Sequence, residues 1–143
     1  MSTDARALLE QGRELLDPVL VKHGFRVETP ETSNEVAFAR VAYVRDERRL
    51  ELGCRDQLAA VVYQIDDLVV THDAYMSAVL GPAGSNMYPS FSGHPLDGFR
   101  HLQHDLQHYA GAFLQGTSEA FRTIVRRAHE VAGADARTTL YRR

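Results

Sequence analysis

Lysine is nearly missing from this chain: fifteen of its sixteen cationic residues are arginine, and the one lysine is Lys22. A GC-rich genome imposes such a bias on its own, whereas arginine chosen for bidentate recognition of carboxylate or phosphate would have to be clustered. Cysteine is equally scarce. Cys54 stands alone, so no internal disulfide forms, and no Cys/His spacing of the structural-zinc type occurs. No run of about 18 apolar residues exists, which excludes a membrane-spanning helix. The opening residues MSTDARALLEQ lack the basic-then-apolar pattern of a secretory signal, so the expected location is the cytoplasm. A formal net charge of -3 argues against nucleic acid as a partner, because phosphate neutralisation needs a concentrated cationic face.

What is present fits one soluble domain. The chain has 143 residues, 44% of them hydrophobic and 24% charged, enough to bury roughly 70% of the unfolded surface without a staple. No repeat, low-complexity tract or linker divides it, so residues 1–133 read as a single domain and residues 134–143 as a basic C-terminal tail. The charge is unevenly spread. Residues 1–99 carry 15 acids and 9 bases, while residues 100–143 carry 4 acids and 7 bases. Between Asp56 and Phe99 there is no Lys or Arg, only Asp56, Asp66, Asp67, Asp73 and Asp97.

Periodicity predicts an α+β fold. Leu8, Leu9, Leu15, Leu16, Val19 and Leu20 make one helical stripe over residues 4–23, with Gly24 as its stop and Pro18 kinking it or restarting it. Residues 35–45 are rich in Val, Ala, Phe and Tyr, and residues 49–55 alternate cleanly, with Leu50, Leu52 and Cys54 inward. Residues 58–65 and 68–71 flank the tight turn Asp66-Asp67. These segments predict an antiparallel meander of about four strands. Thr71, His72 or Asp73 can cap a short helix over residues 74–80. Phe99, Leu102, Leu106, Tyr109 and Phe113 recur at spacings of three and four, predicting one helix over residues 96–115. Thr117 or Ser118 then caps a last helix, stopped at Gly133. The two longer C-terminal helices are expected to pack on the sheet.

Two constellations carry chemistry. Asp97, His101, His104 and His108 fall on one polar ridge of the predicted helix, within roughly 60° of one another at about 100° per residue. Imidazoles three or four residues apart can share a divalent metal, so zinc or a similar ion is the alternative cofactor reading; a solvated helix face is the bland one. The second is the segment Met87, Tyr88 and Phe91, which places three large apolar side chains in a long loop inside the cation-free stretch. Exposed, it would present aromatics framed by Asp66, Asp67 and Asp73 to a basic protein partner. Catalytic signatures are missing: there is no GxSxG elbow, no P-loop lysine and no HExxH. Cys54 reads as a buried small hydrophobe rather than a nucleophile.

The runs RRLELGCRDQLAAVVYQIDDLVVTHDAYM (residues 48–76) and YPSFSGHPLDGFRHLQHDLQHYAGAFLQG (residues 88–116) resemble a family of small bacterial proteins of uncharacterised function. That resemblance covers the chain from the first helix to Gly116, implies a bacterial cytosolic α+β protein, and carries no activity or functional residues. More loosely, the layout of helix, short meander and C-terminal helices is similar to small immunity proteins of bacterial toxin systems, a likeness of fold alone. The resulting expectation is a non-enzymatic protein-binding molecule, with a metal-binding or metal-dependent role for the histidine face as its rival. A homodimer joined by an edge strand or the last helix is compatible with either.

Overall fold

Spacing of apolar residues sets the first element. In the computed structural model, which describes residues 5–28, 39–55, 57–80 and 94–136 (the last six in backbone only), α1 (Ala5–Lys22) buries Leu8, Leu9, Leu16, Val19 and Leu20 on one face. Pro18 neither restarts nor ends the helix; its missing N–H simply leaves the Glu14 carbonyl without the usual donor. The stop comes at Gly24, whose φ of +89° lets its N–H reach the Val21 carbonyl while the Phe25 N–H reaches that of Leu20. Phe25 therefore folds back into the core, as the sequence implies.

The meander has five strands rather than four: β1 (Arg26–Val27), β2 (Ala39–Arg45), β3 (Arg48–Cys54), β4 (Leu58–Ile65) and β5 (Leu68–Thr71), antiparallel in sequential order. A two-residue strand such as β1 is too short to show alternation. Tyr43, Leu50, Tyr63 and Val70 stand in register across β2 to β5 and all are buried. Val41, Leu52 and Val61 form the next buried row. Alternate positions, such as Val44, Arg49, Gln64 and Val69, take the opposite face and are only partly covered or exposed. Cys54 is inward and fully buried, as its alternation implies.

Helices cover the buried face. Thr71 Oγ1 accepts the Ala74 N–H at 3.2 Å at the start of α2 (His72–Leu80), and Thr117 Oγ1 accepts that of Ala120 at 3.1 Å at the start of the last helix. The single helix expected over residues 96–115 is broken in two, α3 (Asp97–His108) and α4 (Gly111–Leu114). The break turns Tyr109 out to 36% exposure while Ala110, Phe113 and Leu114 are buried. Its cause is tertiary. Arg48 of β3, itself buried, donates to the carbonyl of Phe113 at 2.6 Å and to that of Gly116, and the Tyr75 hydroxyl donates to the Tyr109 carbonyl at 2.8 Å. The final helix, α5 (Ser118–Ala136), runs three residues past the expected stop at Gly133.

Two glycines give opposite stability signs. A Cβ on Gly12 would lie 2.3 Å from two carbons of the buried Phe99 ring. Gly12→Ala is therefore expected to lose about 1–3 kcal/mol by overpacking, outweighing a helix-propensity gain of about 1 kcal/mol. A Cβ on Gly111 meets nothing within 4 Å, so Gly111→Ala should gain about 0.4–1 kcal/mol. Urea denaturation checks both; stability unchanged or raised in Gly12→Ala would mean that the ring gives way freely.

Candidate functional site

Hairpin parity builds an acidic rim. In a sequential meander the β2–β3 and β4–β5 turns fall at the same end of the sheet, and here the Asp66 N–H donates to the Glu47 carbonyl at 3.1 Å. Asp46, Glu47, Asp66 and Asp67 thus lie on neighbouring tips, all four exposed. Asp46 and Asp66 take φ of +54° and +56°, a region that aspartate enters more readily than most residues. Beside them Arg48 brings Nε to 3.8 Å from the Glu47 carboxylate, but the guanidinium is turned inward to carbonyls, and burial lowers its pKa. Val69, on the edge strand next to the rim, is 47% exposed.

Of the partner-binding residues expected from sequence, Asp66 and Asp67 are therefore gathered, together with Asp46 and Glu47 of the neighbouring hairpin. The parity of a meander was the signal that could have found them. Asp73 sits at the other end of β5, in the first turn of α2; desolvation raises its carboxyl pKa, with His72 acting against the shift. Met87, Tyr88 and Phe91 lie outside the described residues.

The histidine ridge is brought together only in part. His104 and His108 stack with ring centroids 4.3 Å apart, and the His108 Nδ1–H donates to the His104 carbonyl at 2.9 Å. Asp97 instead pairs with Arg100 at 2.7 Å, and His101 is half-buried. Among the described residues no group of three or more His, Cys, Asp or Glu side chains is placed to hold a metal ion. Asp97, His101, His104 and His108 are not assembled into a ligand set.

A third polar group was not foreseen as a unit. Tyr63 Oη lies 2.7 Å from His72 Nδ1, and His72 Nε2 lies 2.9 Å from Asp105 Oδ2, across 33 residues of sequence. His72 was visible only as a capping residue. Asp105 carries a faint signal, since it falls about 80° from the centre of the apolar stripe Phe99, Leu102, Leu106, Tyr109 and Phe113, on the flank of the buried side. The composition suits proton transfer, but Tyr63 is 0% and His72 1% exposed, so a substrate cannot reach either. The trio ties β4, α2 and α3 together as a satisfied buried network. Tyr43, donating to Asp17 at 2.5 Å, and Tyr75 are held in the same manner.

Comparison with family models, curated proteins and solved structures finds no match to this chain. The likeness to bacterial immunity proteins therefore gains no support from relatives. Among the described residues no helix is long and apolar enough to cross a membrane.

Replacing His72 by Phe should remove the hydrogen bonds it makes to the Tyr63 hydroxyl and to Asp105, leaving Asp105 the longer His104 contact at 3.4 Å, at a cost of about 1–3 kcal/mol. A double-mutant cycle with Tyr63→Phe should show coupling; strict additivity would dissolve the network. The phenols supply a pH test. Desolvation first, and for Tyr43 the Asp17 contact as well, raises both pKa values above the ordinary 10, that of Tyr75 to about 12. The folded state then holds protons that the unfolded state has released, so stability is intact below pH 10 and falls as pH climbs toward 12. Denaturation midpoints should drop over that range, with a shallower slope in Tyr75→Phe.

Proposed function

We propose that this chain is a non-enzymatic protein-binding molecule that holds a basic partner through the rim formed by Asp46, Glu47, Asp66 and Asp67. The observation that carries the reading is the hydrogen-bonded adjacency of the two hairpin tips, which turns two ordinary turns into one exposed four-carboxylate surface. Such a surface speeds encounter with a cationic partner and sets its orientation. Affinity needs apolar contact as well. Val69 on the adjoining edge strand offers it, and the segment carrying Met87, Tyr88 and Phe91 is the expected source of further anchors, with Asp73 at the far end of β5. An immunity-type role against a basic toxin is one specific form of this function, and a toxin gene next to this one would single it out.

The acidic character that supports the reading is narrower than the cation-free stretch. Arg127 of α5 donates to the Ala78 carbonyl of α2 at 3.2 Å, so a cation of α5 lies against the helix that carries Asp73. The rim is the part of the acidic surface to test.

The variant Asp46→Asn/Glu47→Gln/Asp66→Asn/Asp67→Asn removes the charge while Asn still tolerates the left-handed backbone. Native protein immobilised at low salt should retain a basic protein from its host. That protein should be released by about 0.5 M salt and should fail to bind the quadruple variant. Equal retention by both forms, or no retained macromolecule, defeats the proposal.

A further inference from the structure

The four residues of the ridge on α3 do not make one ligand set, but two of them meet with their ring nitrogens already sorted. His104 and His108 stand one helical turn apart, with ring centroids at 4.3 Å and planes inclined by 29°. His108 Nδ1 lies 2.9 Å from the His104 carbonyl, and His104 Nδ1 lies 3.4 Å from Asp105 Oδ1. A carbonyl and a carboxylate only accept, so each Nδ1 carries the proton and each neutral ring keeps its lone pair on Nε2. Among the described residues neither Nε2 has a hydrogen-bond partner, and both side chains are exposed.

That is the tautomer a metal-bound imidazole needs, with the far nitrogen held by a carbonyl or carboxylate that orients the ring. The orienting carboxylate is itself held. Asp105 Oδ2 accepts from His72 Nε2 at 2.9 Å, and His72 Nδ1 meets the Tyr63 hydroxyl at 2.7 Å, so the buried trio leads through Asp105 to the exposed His104. Metal bonds of about 2.0–2.1 Å set the two Nε2 atoms about 3 Å apart, a spacing that nearly parallel exposed rings reach by a small tilt. Charge around the pair is of both signs. Asp105 and the C-terminal end of α3 contribute negative potential. Lys22 of α1 lines the same groove as His108 and opposes them, as does Arg100, one turn before His104 and paired with Asp97. Neutral imidazoles bind by donating a lone pair, so the donor type rather than net charge selects the ion: a borderline transition metal over magnesium or calcium, which take oxygen.

We infer that His104 and His108 form a two-imidazole site for a divalent transition metal of the copper, nickel and zinc class, with Asp105 as the residue that positions His104. The site lies apart from the acidic rim, and either proposal can fail alone. Isothermal titration of tag-free protein with zinc chloride tests it. One saturable site is expected, unchanged by His101→Ala and by excess magnesium. His104→Ala and His108→Ala, both at exposed positions, should each weaken it by more than the roughly tenfold that loss of an outer-shell partner costs. Long-range nitrogen–proton spectra of the native protein at neutral pH should show both rings mainly as the Nδ1–H tautomer, with zinc shifting the two Nε2 signals and no other histidine. Absence of saturable zinc binding, undiminished binding in either His104→Ala or His108→Ala, an equal loss in His101→Ala, or a mainly Nε2–H form of either ring overturns the inference.

Discussion

One buried cation organises this fold. Arg48 leaves the β2–β3 turn and enters the protein rather than solvent, where a guanidinium without partners would cost on the order of several kcal/mol. It finds its acceptors in the carbonyls of Phe113 and Gly116, at the C-terminal end of α4, where helix carbonyls lack intrahelical donors and carry partial negative charge. The two deficits cancel. As a result a hairpin tip is fastened to the corner between α4 and α5, and the chain must break its helix near Tyr109 to deliver those carbonyls. Because the Asp66 N–H then bonds to Glu47, the second hairpin tip is tied into the same corner.

Local patterns made much of this legible. The alternation of Leu50, Leu52 and Cys54, the turn at Asp66-Asp67 and the caps at Thr71 and Thr117 all depend on neighbours in sequence, and all stand in the structure. The broken helix was not legible for a physical reason. Tyr109 and Phe113 continue the apolar period of Phe99, Leu102 and Leu106, so nothing local marks the break. Its cause lies in Arg48 and Tyr75, more than 30 residues away. The Tyr63–His72–Asp105 trio was hidden for the same reason. The acidic rim is half visible in sequence, since the Asp66-Asp67 turn is a local signal while the adjacency of Asp46-Glu47 follows only from the meander's parity.

The distribution of charge changes meaning once the chain is folded. By sequence, the molecule divides into an acidic first part and a basic end. In the structure the arginine-bearing α5 runs against α2, while Asp17 of α1 and Asp105 and Asp97 of α3 are held by Tyr43, His72 and Arg100 in turn. At the paired hairpin tips Asp46, Glu47, Asp66 and Asp67 stay exposed, with Arg48 Nε 3.8 Å from the Glu47 carboxylate.

The position of Lys22 has a practical corollary. A chain that uses arginine almost exclusively carries a single side-chain primary amine, and the fold sets that amine, exposed, in the last turn of α1. Among side chains, reagents that acylate amines will therefore mark one position, without engineering. A fluorophore, spin label or cross-linker attached there reports on the end of α1 and on the neighbouring β2–β3 hairpin tip, to which the Arg45–His23 contact joins it.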